Sequence, residues 1–145
     1  MKAVIQRVQQ AKVDVNGEQV AKIGCGLLVY LGVGKTDTEE DADYIAKKLV
    51  NLRIFGDEAG KMNLSLNNIG GGILIISNFT LQGDCRKGRR PGFDGAGGAE
   101  MAEKLYERVA QVVAEQGVRV VTGVFGEHMH VSSVNDGPVT FILES

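Results

Sequence analysis

Cysteine is scarce: Cys25 and Cys85 are the only two, about sixty positions apart and outside any C-x-x-C pair. No disulfide framework is expected, and a reducing compartment, the cytoplasm, fits such usage. No apolar run approaches the ~18 residues that a membrane span requires. The opening Met1-Lys2-Ala3-Val4-Ile5-Gln6-Arg7 returns to polar residues after three apolar ones, which is not the pattern of a secretory signal. There is also no excess of positive charge. Sixteen Lys and Arg against 18 Asp and Glu give a net charge of −2, which argues against a generally basic nucleic-acid binder while leaving room for a local patch. The only histidines, His128 and His130, have no third Cys or His nearby, so a zinc site would be incomplete. Ser132 and Ser133 follow them without a G-x-S-x-G elbow, and a Ser-His-Asp hydrolase lacks support.

What the chain has in abundance is glycine. Its 20 glycines are about twice the average usage of ~7%, dispersed without period, as expected of many tight turns. Val4–Val15 is rich in β-branched residues, and Asn16-Gly17 supplies a two-residue hairpin turn into a returning strand, Gln19–Ile23. Leu27–Val33 and Ile73–Ile76 are apolar runs bounded by glycine and read as buried strands. Thr36 with Glu39 offers a capping box for a first helix carrying Ala42, Ile45, Ala46, Leu49 and Val50 on one stripe. Residues 54–67 read as a small hairpin or irregular crossing, and 82–98 as a loop. A second helix with Ala102, Leu105, Val109, Val112 and Val113 on one face has Gly117 as its C-cap. Segments 118–124, 128–134 and 139–143 read as closing strands. No linker or internal repeat divides the chain, so one mixed α/β layered domain over 1–145 is expected.

Three features invite a functional reading. Gly32-Val33-Gly34-Lys35-Thr36 resembles a P-loop, but the glycine required five residues before Gly34 is Val29, so a strand-to-helix turn is the better description. Arg86-Lys87-Gly88-Arg89-Arg90 is a dense basic cluster in an acidic chain; charge alone is compatible with a solvated loop and with a phosphate-contacting one. Two polar segments border apolar strands. Ser77-Asn78-Phe79-Thr80-Leu81 provides either hydrogen-bond plugs or a site, and Asn135-Asp136-Gly137-Pro138-Val139-Thr140 has the chemistry of a turn. A nucleotide-binding module built on Gly34-Lys35-Thr36 and a non-catalytic RNA-binding scaffold built on the basic loop are the rival readings.

These last two segments, in that order and about sixty residues apart, resemble the S-Q-F-T-L and N-x-G-P-V-T signatures of the bacterial D-aminoacyl-tRNA deacylase family. Further agreement runs through Ile5-Gln6-Arg7-Val8, Gly26-Leu27-Leu28-Val29 with Leu31-Gly32-Val33, Arg53-Ile54-Phe55, Gly60-Lys61-Met62-Asn63 and Arg90–Phe93. The chain is similar to the family from end to end. One position departs: the family's glutamine is Asn78 here, shorter by roughly one C–C bond, ~1.5 Å.

The resemblance implies a three-layer β-β-α sandwich whose sheets are extended or closed by dimerisation. It implies a homodimeric cytoplasmic hydrolase that cleaves the carboxylic ester of D-aminoacyl-tRNA, with tRNA as partner and neither DNA nor membrane. No metal or organic cofactor is implied. The expected catalytic segment is Ser77, Asn78, Phe79 and Thr80, where backbone N–H groups around Phe79 and Thr80 stabilise an oxyanion and the tRNA 2′-OH assists an attacking water. Thr80 has no adjacent base in the sequence to make it a nucleophile. Gly137 and Pro138 are implied to be a cis pair that projects into the partner's site and excludes L side chains, fixed by the Arg7 guanidinium. Glycine would escape that exclusion, so glycyl-tRNA, including glycine misplaced on an alanine tRNA, is an expected substrate. Phe79, in place of methionine, points to the chirality-strict type. Arg7 by itself is equally compatible with a strand edge, and Phe79 and Met129 with core packing or with pocket walls. Lys61, Met62 and Asn63 are candidates for contact with the tRNA end, and Arg86, Arg89 and Arg90 for acceptor-stem phosphates.

Overall fold

The order of β-branched runs, glycine turns and two amphipathic stripes produces eight strands and three helices in the computed structural model, which describes residues 1–145. Strand β1 (Lys2–Val15) is the organising element. On one edge it pairs antiparallel with β3 (Gly26–Gly32) along its first half and with β2 (Glu18–Ile23) along its second; on the other edge it pairs with β8 (His130–Glu144). Parallel β6 (Gly72–Ser77) and β7 (Arg119–Thr122) extend the sheet beyond β3, giving the order β2-β1-β3-β6-β7 with β8 on β1. β2 curls back into contact with β6 and β7, and the Arg119 guanidinium reaches the Lys22 carbonyl at 3.5 Å. The two expected β layers are therefore halves of one sheet nearly closed into a barrel.

Period-2 alternation sorts the strand residues between two cores. Ile5, Leu27, Val29, Leu31, Ile73 and Ile75 face α1 (Glu39–Asn51) and α3 (Ala99–Glu115), meeting Ile45, Leu49, Leu105 and Val109. Val8, Val13, Ile23, Leu28, Leu74 and Ile76 fill the interior of the curled sheet. Tyr106 of α3 is buried between the layers; its hydroxyl donates to the Ile75 carbonyl at 2.9 Å, and burial pushes its pKa up to about 12.

Several local expectations shift. Helix α1 is capped by Thr38 with Asp41, whose carboxylate accepts the Thr38 N–H at 2.8 Å, two residues later than the Thr36–Glu39 box. The reason lies upstream: the Asp37 carboxylate accepts the Gly34 N–H at 2.5 Å, and the Lys35 N–H donates to the Gly95 carbonyl at 3.0 Å. Residues 34–37 thus form a closed turn in which the amides of Gly34, Lys35 and Asp37 are already bonded, not a loop free to wrap phosphate. Helix α3 ends at Glu115 with Gln116 as cap, and Gly117 follows in the left-handed conformation (φ 80°). The 54–67 crossing is a small hairpin, β4 (Phe55–Gly56) with β5 (Met62–Leu64), leading into the one-turn helix α2 (Leu66–Ile69). The last two expected strands are one. β8 runs the whole length of β1, and its Asn-Asp-Gly-Pro segment leaves the ladder and rejoins it without reversing the chain: Gln6 pairs with Thr140 and Val8 with Asn135, so five residue steps on β8 answer two on β1.

β3 ends on Gly32, where a Cβ would lie 2.8 Å from the Asn78 carbonyl oxygen and 2.9 Å from the Leu81 Cβ. That close approach seats the segment following β6. Gly32→Ala is expected to cost about 1–3 kcal/mol by overpacking, read in urea as a lower midpoint with an unchanged m-value; a wild-type midpoint would show that the contact relaxes freely.

Candidate active site

Buried β6 emerges at Ser77 and passes directly into a single 3₁₀ turn, Phe79–Gln82. The Asn78 backbone N–H continues the ladder to the Leu31 carbonyl at 2.8 Å. Its side chain turns forward: Oδ1 accepts the Thr80 N–H at 3.1 Å and the Thr80 hydroxyl at 2.5 Å. A short Asx side chain is the right length for this N-cap, so the methylene lost relative to glutamine fits a local capping role. The Thr80 amide is therefore committed within the turn, which narrows the expected oxyanion donors. The Phe79 N–H has no acceptor within the chain. The Thr80 hydroxyl hydrogen-bonds an amide oxygen, not a base.

Beside this turn lies a cleft of about 430 Å³ lined by Ser77, Asn78 and Phe79, by Leu31 at the end of β3 and Val33 just beyond it, by Ala96, Gly97, Ala99 and Ala102 at and before the start of α3, and by Phe125, Glu127 and Met129 from the β7–β8 connection. Glu127 is the one ionisable side chain in that lining. Phe79 is 59% exposed and so is not core; its ring meets Phe93 edge-on at 5.1 Å. Met129 does both things expected of it, lining the cleft and packing against the inner core. Phe125 and Glu127 carried no signal in the sequence, because nothing in their spacing marks loop residues that fold over a cleft, and Phe93 stood out only as part of the Arg90–Phe93 resemblance.

A second constellation occupies the β8 edge. Arg7 Nε donates to the Asp136 carbonyl at 3.2 Å and pairs with its carboxylate at 2.8 Å, while Nη1 donates to the Ile54 carbonyl at 2.6 Å. The Asn135 amide donates to the Arg7 carbonyl at 2.9 Å and to the Val139 carbonyl at 3.2 Å, closing the excursion at its base. The Gly137–Pro138 peptide is cis, and the Pro138 carbonyl accepts the Thr140 hydroxyl at 3.1 Å. Gly137 can only be glycine in this arrangement, since a Cβ would collide with the folded-over Asn135 side chain. Arg7 thus bonds Asp136, the residue before Gly137, and Ile54, and not the Gly-Pro peptide itself. Lys61, Met62 and Asn63 are exposed on the β4–β5 hairpin, whose base is tied to the same Arg7 through Ile54.

These two constellations do not meet within one chain. Ser77 is level with Leu31 and Ala3, whereas the excursion is level with Arg7 and Leu27. That places them four residues apart along the strands, ~13 Å, and three strand spacings apart across the sheet, ~14 Å. The basic cluster forms a third group. Residues 84–92 make an arm closed by paired bonds between Asp84 and Gly92 at 2.8 and 2.9 Å. Arg86 is held by the Asp84 carboxylate (2.7 and 2.9 Å), a bond that keeps the Asp84 carboxyl below its ordinary range. Arg86, Arg89 and Arg90 are all exposed, and the Phe79–Phe93 contact anchors the arm beside the cleft. His128 and His130 stack edge-on at 5.0 Å; no group of three or more His, Cys, Asp or Glu side chains is placed to hold a metal ion.

Known proteins resemble this chain over its whole length. A family model described as D-Tyr-tRNA(Tyr) deacylase matches residues 4–144. The chain is 58% identical over 145 residues to the D-aminoacyl-tRNA deacylase of Thermosipho africanus, covering 100% of this chain and 97% of that one. It is also 58% identical to the enzyme of that name from Desulfatibacillum aliphaticivorans, covering 100% and 99%. Among solved structures it superposes on a protein named c-Myc DNA Unwinding Element Binding Protein with a TM-score of 0.93, at 42% identity over 100% of this chain and 99% of that one. A probable eukaryotic D-amino acid tRNA deacylase shares the fold, with a TM-score of 0.87 at 21% identity over 99% and 98% of the two chains. With a family model spanning nearly every residue and full-length relatives at this identity, the chain belongs to the D-Tyr-tRNA(Tyr) deacylase family.

Proposed function

We propose that this protein is an editing hydrolase that cleaves the ester between a D-amino acid and the 3′ end of tRNA, acting as a homodimer in which each cleft is completed by the partner's Gly137–Pro138 segment. The observation that carries this reading is the separation of the two signature segments within one chain, together with the rigid seating of the second on a free sheet edge. A segment clamped by Arg7 and Asn135 but far from its own cleft is built to present its backbone to something else. The β8 edge has the properties of a subunit interface. No strand pairs with its outer side, and it exposes Phe141 and Ile142, the latter 73% exposed; an unpaired edge of this length normally finds a partner or is blunted. Family membership and the D-aminoacyl-tRNA deacylase name carried by the full-length relatives support the choice of ester.

In this mechanism the aminoacyl-adenosine end enters the apolar cleft against Phe79 and Met129. Water adds to the ester carbonyl, the developing oxyanion is met by the Phe79 N–H, and collapse breaks the bond to the ribose 3′ oxygen, releasing free amino acid and tRNA. The ribose 2′-OH relays the proton from the water to the departing 3′ oxygen. Such substrate assistance suits a cleft whose lining offers no histidine, cysteine or lysine, with Glu127 the one rival base. The carbonyl oxygens of Gly137 and Pro138 occupy the volume an L side chain needs and leave a D side chain free. Discrimination arises from this exclusion, so glycine passes. Ser77 and Asn78 shape the turn, and Lys61, Met62 and Asn63, tied to the same clamp through Ile54, approach the tRNA end from the partner subunit.

Matched D-, L- and glycyl-tRNA decide the reading: D-aminoacyl and glycyl esters are expected to be cleaved at least about 100-fold faster than the L ester, and similar rates for D and L would overturn it. A tRNA ending in 2′-deoxyadenosine should be cleaved about 10²–10⁴-fold more slowly, with Glu127→Gln remaining near the wild-type rate. The opposite pair of results moves the base to Glu127. Thr80→Ala should stay within about tenfold of wild type, since it loses one exposed hydrogen bond; loss of all turnover would make Thr80 the nucleophile. Arg7→Lys keeps the charge but not the fork that spans Asp136 and Ile54. Its expected signature is a fall of about tenfold in the D-to-L ratio, read from kcat/KM on both esters.

A further inference from the structure

The Gly34-Lys35-Thr36 turn, which cannot serve as a P-loop, has a different neighbour. Two surface basins, of about 920 and 440 Å³, share Lys2, Gln82 and Gly95 in their walls. One carries Lys87 and Arg90 of the basic arm, the other carries Lys35. They adjoin as one groove that starts at Gln82, the last residue of the 3₁₀ turn that begins with Phe79. The groove's charges are unevenly committed. Arg86 is held by Asp84, Lys2 lies 3.6 Å from Glu144, and the Asp37 carboxylate is occupied by the Gly34 N–H and the Met1 ammonium. Lys35, Lys87 and Arg90 make no ion pair, and against them stands one uncommitted side-chain carboxylate, Asp94. The Lys35 backbone N–H is taken by the Gly95 carbonyl, which leaves the ammonium as its only free donor.

We propose that this groove is the track for the RNA strand leading out of the cleft, and that Lys35 is its distal phosphodiester contact, reached after the strand passes Lys87 and Arg90. The assignment rests on the deacylase reading, because it takes the cleft to hold the strand's 3′ terminus. Phosphodiester, not free nucleotide, follows from the shape. The cations are strung along a groove whose wall residues Gly34, Gln82 and Gly95 lie next in sequence to, or in the same turn as, the cleft residues Val33, Phe79 and Ala96. The turn keeps one free amide, that of Thr36, where wrapping a polyphosphate takes several.

The test is a titration of an uncharged tRNA acceptor minihelix, followed by fluorescence anisotropy between 50 and 200 mM salt. Lys35→Ala should reduce the slope of log affinity against log salt by about 0.7–0.9, the share of one phosphate contact. It should also weaken low-salt binding about 3–10-fold, whereas Lys35→Arg retains both the slope and the affinity. A wild-type slope and affinity in Lys35→Ala overturn the proposal, as does Lys35-dependent binding of ATP at millimolar concentration, which would give the site to a free nucleotide. Should Lys35→Ala lose its cooperative thermal transition, Lys35→Gln replaces it. Hydrolysis of a D-aminoacylated minihelix by the same wild-type preparation is measured alongside. Absence of hydrolysis sinks the deacylase reading, while the salt slope alone decides the groove.

Discussion

One strand satisfying two edges at once underlies the reactive geometry of this protein. β1 keeps β2 and β3 on one side and β8 on the other, so its backbone groups are almost fully occupied and its position admits little adjustment. Where β8 departs from that ladder, the lost backbone bonds are replaced by side chains: the Asn135 amide takes the Arg7 carbonyl, and the Arg7 guanidinium takes Asp136 and Ile54. An excursion without such replacements would leave polar main chain unpaired and mobile. With them it becomes a rigid projection. The Arg7 side chain, only 15% exposed, is stabilised by the carboxylate and carbonyl oxygens it bonds, and a planar fork meets several acceptors where an ammonium would not.

Chemical poverty of the cleft follows from how it is built. Its walls are apolar residues from strand ends and glycine-rich connections, with backbone amides and small polar groups at one margin. Such a site can position an ester and stabilise an oxyanion, but it has little means of driving proton transfer by itself. A reaction that borrows a hydroxyl from its own substrate suits those means.

The basic arm illustrates how a chain of net charge −2 presents a local positive field. Its cations are concentrated on one short loop, anchored to the cleft by Phe93 against Phe79, and part of that charge is neutralised locally by Asp84. Local concentration on a fixed arm, and not overall charge, sets the field near the active end.

Much was legible in the linear sequence. β-branched richness placed β1 and glycine-bounded apolar runs placed β3 and β6; helical spacing gave the buried stripes of α1 and α3. The polar end of β6 and the Asn-Asp-Gly-Pro segment stood out as the two candidate regions, because local preferences such as period, turn chemistry and cap residues are properties of neighbouring residues. Errors arose where a distant group competed. Asp37 captured the Gly34 amide and moved the cap of α1 to Thr38, and the length of β1 drew the predicted turn at residues 135–138 into one continuous strand. Only the tertiary structure decided that Arg7 reaches Ile54, that Phe93, Phe125 and Glu127 gather around Phe79, and that the two signature segments lie apart in one chain. Those facts depend on strand register and on the curl of the sheet, which are set by packing between residues remote in sequence and so leave no trace in local order.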